Sequence, residues 1–546
     1  LDVVVDLFVI CAYFVLVVYV GLRFGKRDET LEAFALGGRS IPWLAVLASI
    51  IAAETSAATF LGAPGEGFQL QNYSYLQILI GAIIGRIIVA KLFIKAFFDY
   101  NVYSIYEYLE IRFGRLTRTA GSALFLVTRL LASGARLYVA AIIIAVGFQL
   151  FVGTQPTPEQ QMMIYLGSIF FITVLTAIYT SVGGIKAVVW TDCIQSGVMV
   201  GGALSAIVFL VAIMPGGWST IALFFAETPT PVFLTGIVSG ASFSDNLRNV
   251  LTSEYTIWAA FLGATFTAMA THGTDQDMVQ RMLTANDYKK SRMSLVLSGF
   301  ADIPIAFIFI SIGILMSCYY HNVPDPNLPL KNSEIFAYFI LTRMPMGLRG
   351  LLVAGIFATA MGSLSAALNA LATSFTRDFY SRKNSEAASS ESDSSTSPAT
   401  PSATGALPGA SDEERNVAAA KRFTFVFAAL MTVVAGVTAF FVINHPESRI
   451  IPIVLGIFGY TYGSLLGIFL LGFLTKSRGS DLGNCIAMVI GFCVVALLTG
   501  MPNQVLELCG AKPIASLKTI LVISFPWRIM FGAITTMAVA SLFKRR

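Results

Sequence analysis

Apolar runs of about 20 residues recur along this 546-residue chain, and that length is what an α-helix needs to cross the hydrocarbon of a bilayer. Lipid offers a backbone N–H or C=O no partner, so such a chain has to close its hydrogen bonds inside helices. Composition agrees: 56% of residues are hydrophobic and 12% charged, about half the charge of a soluble domain. The fold class is therefore all-α, a polytopic membrane protein with about 13 transmembrane helices. The expected spans are 3–22, 42–68, 74–98, 119–148, 161–181, 188–213, 256–276, 294–319, 349–375, 422–443, 450–474, 482–500 and 519–541.

Charge orients them. With the N-terminus outside, Arg23, Lys26, Arg27, Arg39, Arg112, Arg115, Arg118, Lys186, Arg281, Lys289, Lys290, Arg292 and the terminal Lys544-Arg545-Arg546 face the cytoplasm. Over all loops this puts roughly 23 cations inside against roughly 7 or 8 outside, the bias of a correct orientation. The expectation is a multi-pass protein of the plasma membrane (the inner membrane in a bacterium), its C-terminus cytoplasmic. The net charge of +5 says little about partners, because its distribution is what counts; no nucleic-acid partner is expected and no obligate protein partner is evident. Six cysteines without ligand spacing read as packing residues. No aqueous loop carries a nucleophile–base set or a metal cluster, so the chain does not read as an enzyme. Residues 384–416 are Ser, Thr, Ala, Pro and Glu with hardly a large apolar side chain, the composition of a disordered linker. In the outer loop, Phe224, Phe225, Phe233 and Phe243 suggest a short helix packed over a vestibule.

Several spans hold polar groups that lipid would not tolerate. Span nine, Ala354 to Thr376, offers a hydroxyl or a very small side chain on almost every turn. Such a helix faces protein or a wet cavity, where its oxygens can converge on an alkali cation; small residues equally serve helix packing. Span two is small and polar from Ala52 to Thr59 and then runs into Gly62, Pro64, Gly65 and Gly67, residues that weaken a helix. Span seven repeats this with Gly263, Thr265, Thr267, Thr271, His272, Gly273 and Asp275. Two weakened helices five spans apart suggest the first helices of two inverted repeats, whose breaks free carbonyls near the midplane. Asp192, just inside span six, has to be paired, hydrated or bound to a cation. Glu54, Arg129, Arg136 and Asp302 are also intramembrane; the arginines either hold a carboxylate of the solute or neutralise Glu54 and Asp302. His272 reads either as a proton relay or as a helix-end hydrogen bond.

Taken in order, these segments resemble the sodium/solute symporter family, which includes the sodium/glucose cotransporters and has the leucine-transporter fold. The resemblance rests on Gly38-Arg39-Ser40-Ile41-Pro42-Trp43, Asn101 to Leu109, Gly183-Gly184 with Thr191-Asp192 and Gln195, Gly273-Thr274-Asp275-Gln276 with Gln280-Arg281, and Ser363-Leu364-Ser365 with Asn369 and Thr376-Arg377-Asp378. It implies a first helix with its loop over 1–41, an inverted repeat over 42–214, an outer loop over 215–255, a second repeat over 256–474 and two closing helices over 475–546. The sodium site it implies takes carbonyls of Ala52 and Thr55 and oxygens of Thr359, Gly362 and Ser363. The chain has Gly362 where relatives commonly carry a serine, which keeps a carbonyl but loses a hydroxyl. A second sodium site found in some members would use Asp192 with hydroxyls at 362, 365 and 366. Gly362 and Ala366 have none, so one sodium per cycle is expected, with Asp192 in the ion release path.

The solute positions implied by the resemblance are Thr55, Ser56, Thr59, Gln77, Arg136, Ala268, Thr271 and Tyr460. Thr59 and Ala268 replace the amides of sugar-carrying relatives, and Arg136 tilts the site toward an anion. The expected function is sodium-coupled symport of a sugar, sugar acid or monocarboxylate by alternating access, with no cofactor beyond sodium as coupling ion. Proton coupling through Glu54 and His272, or a transporter-like sensor, are the alternatives.

Overall fold

The computed structural model describes residues 2–24, 30–152, 157–228, 230–381, 410–445, 450–508 and 511–545. The chain opens with α1 (Asp2–Phe24), then α2 (Trp43–Glu54), α3 (Ala57–Leu70), α4 (Ile78–Leu92), α5 (Arg115–Val152) and α6 (Pro158–Ile213). Two short helices follow, α7 (Trp218–Glu227) and α8 (Phe243–Thr252), and then α9 (Ala264–Gly273), α10 (Gln276–Leu283), α11 (Tyr288–Asn322), α12 (Asn332–Arg343) and α13 (Leu348–Phe375). The chain closes with α14 (Ala410–Asn444), α15 (Ile450–Leu474), α16 (Asp481–Leu498) and α17 (Phe525–Ser541). No strand occurs among the described residues, only two isolated bridges, Ile41 with Ala285 and Arg478 with Lys544.

Burial sorts the helices. In the most apolar window of α13, 94% of residues are buried, against 17% for α1. The small residues of α13 therefore serve protein contacts: it packs on α5, α6, α1, α14 and the broken pair α2–α3. That pair bends by 60° because Thr55 (φ −82°, ψ 82°) and Ser56 (φ −81°, ψ 170°) leave the helix. Past the bend α3 lies against α11 almost backbone to backbone. A Cβ on Gly67 or Gly313 would run into the facing chain, so these glycines set the close approach.

Among the described residues, nine helices are long and apolar enough to cross a membrane, or ten if the bent pair is one span. The expected fifth and sixth spans share α6, whose 56 residues reach about 84 Å at 1.5 Å per residue, far beyond one bilayer. The element leaves helical geometry at Gly184 (φ 51°, ψ −153°), between the two expected spans. The seventh and thirteenth correspond to α9 and α17, of 10 and 17 residues.

Two expectations change. Residues 410–416 belong to α14 rather than to a linker; Glu413 accepts from the Leu31 N–H at 3.0 Å, which gives that polar stretch a folded partner. The remainder, 384–409, lies outside the described residues. The outer loop forms two short helices, and Phe233 and Phe243 stand exposed instead of packing over a vestibule.

The segments that carried the family resemblance converge at one end of the bundle. Asp378 accepts from Ser104 at 2.8 Å, Ser122 at 2.6 Å and Arg118 at 2.7 Å. Gln276 accepts from the Ile105 N–H at 2.9 Å and donates to the Tyr103 carbonyl at 2.8 Å. Gln280 donates to Asn369 at 2.7 Å and to the Ala35 carbonyl at 2.6 Å. Polar residues distant in sequence thus satisfy one another, as burial demands.

Candidate ion and solute site

At the bend the backbone changes partners. The Ser56 N–H turns to the Glu54 carbonyl (3.0 Å), and the Thr59 N–H closes on Ser56 (2.9 Å). The carbonyls of Ala52 and Thr55, which a continuous helix would have used, lose those partners. Both residues are buried, so their oxygens have to find something else to bond. On α13, which packs against both halves of the bent pair, the hydroxyls of buried Thr359 and Ser363 donate to the Ile356 (2.9 Å) and Ala360 (3.1 Å) carbonyls. Their protons committed to their own helix, both oxygens keep lone pairs for a cation. An all-oxygen set suits a hard ion. Gly362 turns elsewhere: its carbonyl accepts from Ser365 at 3.1 Å, and a Cβ there would meet Gln195 Oε1 at 2.5 Å and Asp192 Oδ1 at 3.3 Å. The missing hydroxyl position faces α6, not the bend.

Asp192 is fully buried. Its Oδ2 accepts from Ser49 at 2.5 Å and from Arg281 at 3.3 Å, so the partner of this carboxylate is the arginine of the Gln280-Arg281 pair. Its Oδ1 and both amide atoms of Gln195 have no hydrogen-bond partner among the described residues. Arg281 also pairs with Asp277. Asp277 and Asp275 in turn hold Arg129, the latter at 2.8 Å, and Tyr462 donates to Asp275 at 2.8 Å. This ionic chain joins α5, α6, α10 and α15.

A second cluster sits at the bend. Arg86 on α4 bridges Glu54 and Asp302 at 2.6 Å each, and His272 faces Glu54 through Nε2 while its Nδ1 lies 3.0 Å from the Ala268 carbonyl. The reading in which Arg129 and Arg136 neutralise Glu54 and Asp302 is therefore corrected: Arg86 does so. The signal for Arg86 was present, a charge in the middle of an apolar run whose other charge, Lys91, stands only at its end, legible by the rule that picked out Arg129.

Arg136 differs from the other three. Its guanidinium lies over the Phe458 ring at 5.1 Å, it has no carboxylate partner among the described residues, and its buried Nε has no hydrogen-bond partner there. Two expected solute residues are placed differently. Gln77 spends its amide on the backbone, accepting from the Leu234 N–H at 3.2 Å and donating to the Tyr255 and Ser74 carbonyls at 3.2 Å; it pins the outer loop. Tyr460 stacks with Arg528 of α17 at 5.5 Å. Phe458 and Tyr462, four apart, share the face of α15 toward α5, and Tyr460 between them points the other way. Ser56 is buried at the bend and Thr59 half-buried just past it. Thr271 donates to the Thr267 carbonyl at 3.0 Å, and Ala268 lies where a Cβ on Gly85 would collide with it.

The model of the sodium:solute symporter family matches residues 34–397. The chain belongs to that family. The sodium/sialic acid symporter SiaT of Proteus mirabilis is 27% identical over 492 residues, covering 88% of this chain and 87% of its own. Sodium-coupled monocarboxylate transporter 1 of Homo sapiens is 26% identical over 497 residues, with 88% and 70% covered. A solved structure, the substrate-bound outward-open state of a Na+-coupled sialic acid symporter, superposes with a TM-score of 0.75 at 23% identity, covering 98% of this chain and 97% of that one. The likeness is one of fold, the leucine-transporter fold with its discontinuous helices. The family is one of membrane transporters, not enzymes.

The chain combines a helix contact rich in oxygens, between α2–α3 and α13, with a guanidinium on α5 that has no carboxylate partner among the described residues. The first suits a small cation and the second an anion. Phe458, Ser49 and Tyr462 carry no sequence signal of their own; only the packing of α15 and α2 reveals them.

Proposed function

We propose that the chain is a sodium-coupled symporter that moves a small organic anion inward by alternating access, one sodium per solute. Sodium sits between the freed carbonyls of Ala52 and Thr55 and the hydroxyls of Thr359 and Ser363. The solute carboxylate lies on Arg136, with Ser56, Thr59 and Thr271 along the path. The observation that carries this reading is the contrast among intramembrane arginines: buried Arg86, Arg129 and Arg281 have carboxylate partners, and half-buried Arg136 has an aromatic face and, among the described residues, no partner for its Nε. A buried unpaired cation is costly, and an anionic ligand relieves that cost. The names of both relatives, a sialic acid symporter and a monocarboxylate transporter, support an acid as cargo. One sodium fits the loss of hydroxyls at Gly362 and Ala366 and the hold of Arg281 and Ser49 on Asp192, which leaves Asp192 to the release path. The N-terminus lies outside and the C-terminus in the cytoplasm, a reading supported by the basic loops.

Sodium that binds the outward-facing state preferentially raises solute affinity there, and the solute raises sodium affinity by the same factor. Sodium and a monovalent anion moving one to one carry no net charge. The test is uptake into proteoliposomes in sodium, lithium and choline media at fixed pH, with current recorded. Sodium-dependent, electroneutral uptake of an acid is the expected result; equal uptake in choline refutes the coupling, and one net charge per solute refutes the anion. A second reading, proton coupling, draws on His272 facing Glu54 at the bend. Uptake driven by a pH gradient in choline would select it.

A further inference from the structure

On the outer surface of the bundle, between α4 and α11, lies a cavity of about 430 Å3. Its walls divide by chemistry. Lys91 enters from the end of α4, and Lys289 and Arg292 from the first turns of α11, so three cations crowd one end. The rest is apolar: Ile87 on one side, Met293, Val296 and Leu297 on the other. Lys91, Lys289, Met293 and Leu297 are exposed, so the groove opens on the face the bundle turns outward.

None of the three cations has an acidic partner among the described residues. The contrast with Lys95, one turn beyond Lys91, is direct, because Lys95 pairs with Asp99 at 2.6 Å. Three like charges gathered without a counterion repel one another, and the fold keeps them together at the mouth of an apolar slot. A soluble anion would match the charges but leave the slot empty. An apolar molecule would fill the slot and leave the charges unmet. A ligand with a phosphate at one end and an acyl chain at the other satisfies both. Basic pockets between membrane helices are suited to anionic headgroups in this way.

We infer that this groove binds an anionic phospholipid, its phosphate among Lys91, Lys289 and Arg292 and an acyl chain along Ile87, Met293, Val296 and Leu297. The site is separate from the sodium and solute path. It lies beside it, however: Arg86, the residue before Ile87, ties α4 to Asp302 of α11, so the lipid would brace the same two helices from outside.

The test uses the full chain purified in detergent and titrated with phosphatidylglycerol or phosphatidylcholine, with bound lipid counted by native mass spectrometry. The wild type is expected to prefer phosphatidylglycerol. Each cation near a headgroup contributes about five-fold in affinity, so the triple variant Lys91→Gln, Lys289→Gln, Arg292→Gln should lose about a hundred-fold for phosphatidylglycerol and nothing for phosphatidylcholine. The control triple Lys290→Gln, Arg422→Gln, Lys476→Gln removes as much charge from the same end outside the groove and should keep the preference. Met293→Trp fills the slot with all cations present and should also weaken phosphatidylglycerol. The proposal is overturned if the groove triple binds like the wild type, if the control triple loses as much, or if Met293→Trp leaves affinity unaltered. Displacement of phosphatidylglycerol by equimolar inorganic phosphate would overturn it too, by making the site one for free anions.

Discussion

Replacing Arg136 with glutamine separates a guanidinium kept for cargo from one kept for the fold. A hydrogen bond to a charged group contributes about 1.5–3 kcal/mol, so losing the guanidinium–carboxylate contact should weaken an anionic solute by roughly ten- to a hundred-fold. The folded protein should not suffer, because Arg136 has no carboxylate to strand among the described residues and even its half-burial is unfavourable. Arg129→Gln is the counterpart. It leaves Asp275 and Asp277 without the guanidinium they share, and breaking a buried pair from one side costs about 3–5 kcal/mol. Proteoliposome uptake over a range of solute concentrations, with the melting temperature of each purified variant, gives both readouts. The expected pattern is crossed: Arg136→Gln raises the half-saturating solute concentration and holds its melting temperature, and Arg129→Gln melts earlier. An Arg136→Gln protein with wild-type solute affinity would refute the role given to its guanidinium.

Ser363→Ala removes one lone-pair donor from the seam and should raise the half-saturating sodium concentration roughly ten-fold at unchanged expression; sodium titration of uptake checks it. Asp192→Asn keeps the shape beside Ser49 and Arg281 without the charge, and should slow turnover more than it changes solute binding, read by comparing initial rates with equilibrium binding. Arg86→Gln strands Glu54 and Asp302 at the bend and should cost about 3–5 kcal/mol of stability, seen as early melting; a variant as stable as wild type would mean that the two carboxylates find another counterion.

The class of fold was legible in the sequence because the bilayer leaves so few options. Hydrophobic length marks helices, and glycine, proline and hydroxyl clusters mark where they weaken, so the bend at Thr55 and Ser56 was readable. What composition could not supply was pairing. Arg129 and Arg136, seven residues and about two turns apart on α5, look alike in the sequence. One meets two aspartates from the start of α10 and the other meets Phe458, a difference decided by which face of α15 turns inward. Tyr460 meets Arg528 for the same reason of phase. The buried amide of Gln77 is held by the outer loop, a partner over 150 residues further along the chain. The helical start of α14 was hidden by its polarity, since it folds through contacts far away in sequence, Glu413 with the Leu31 N–H and Asn416 with Ser381.

One guanidinium gripped by acids from two other helices acts as a rivet. Parting α4 from α2 or α11 would strand a buried guanidinium, so the pairing favours those three helices moving together. From Gly350 to Phe375, α13 bears no charged side chain at all, and where it meets the broken helix the Phe60 ring lies against Gly355. Such a boundary can open and reseal without stranding an ion of the protein itself, and the gap it leaves is where water would first reach the cargo.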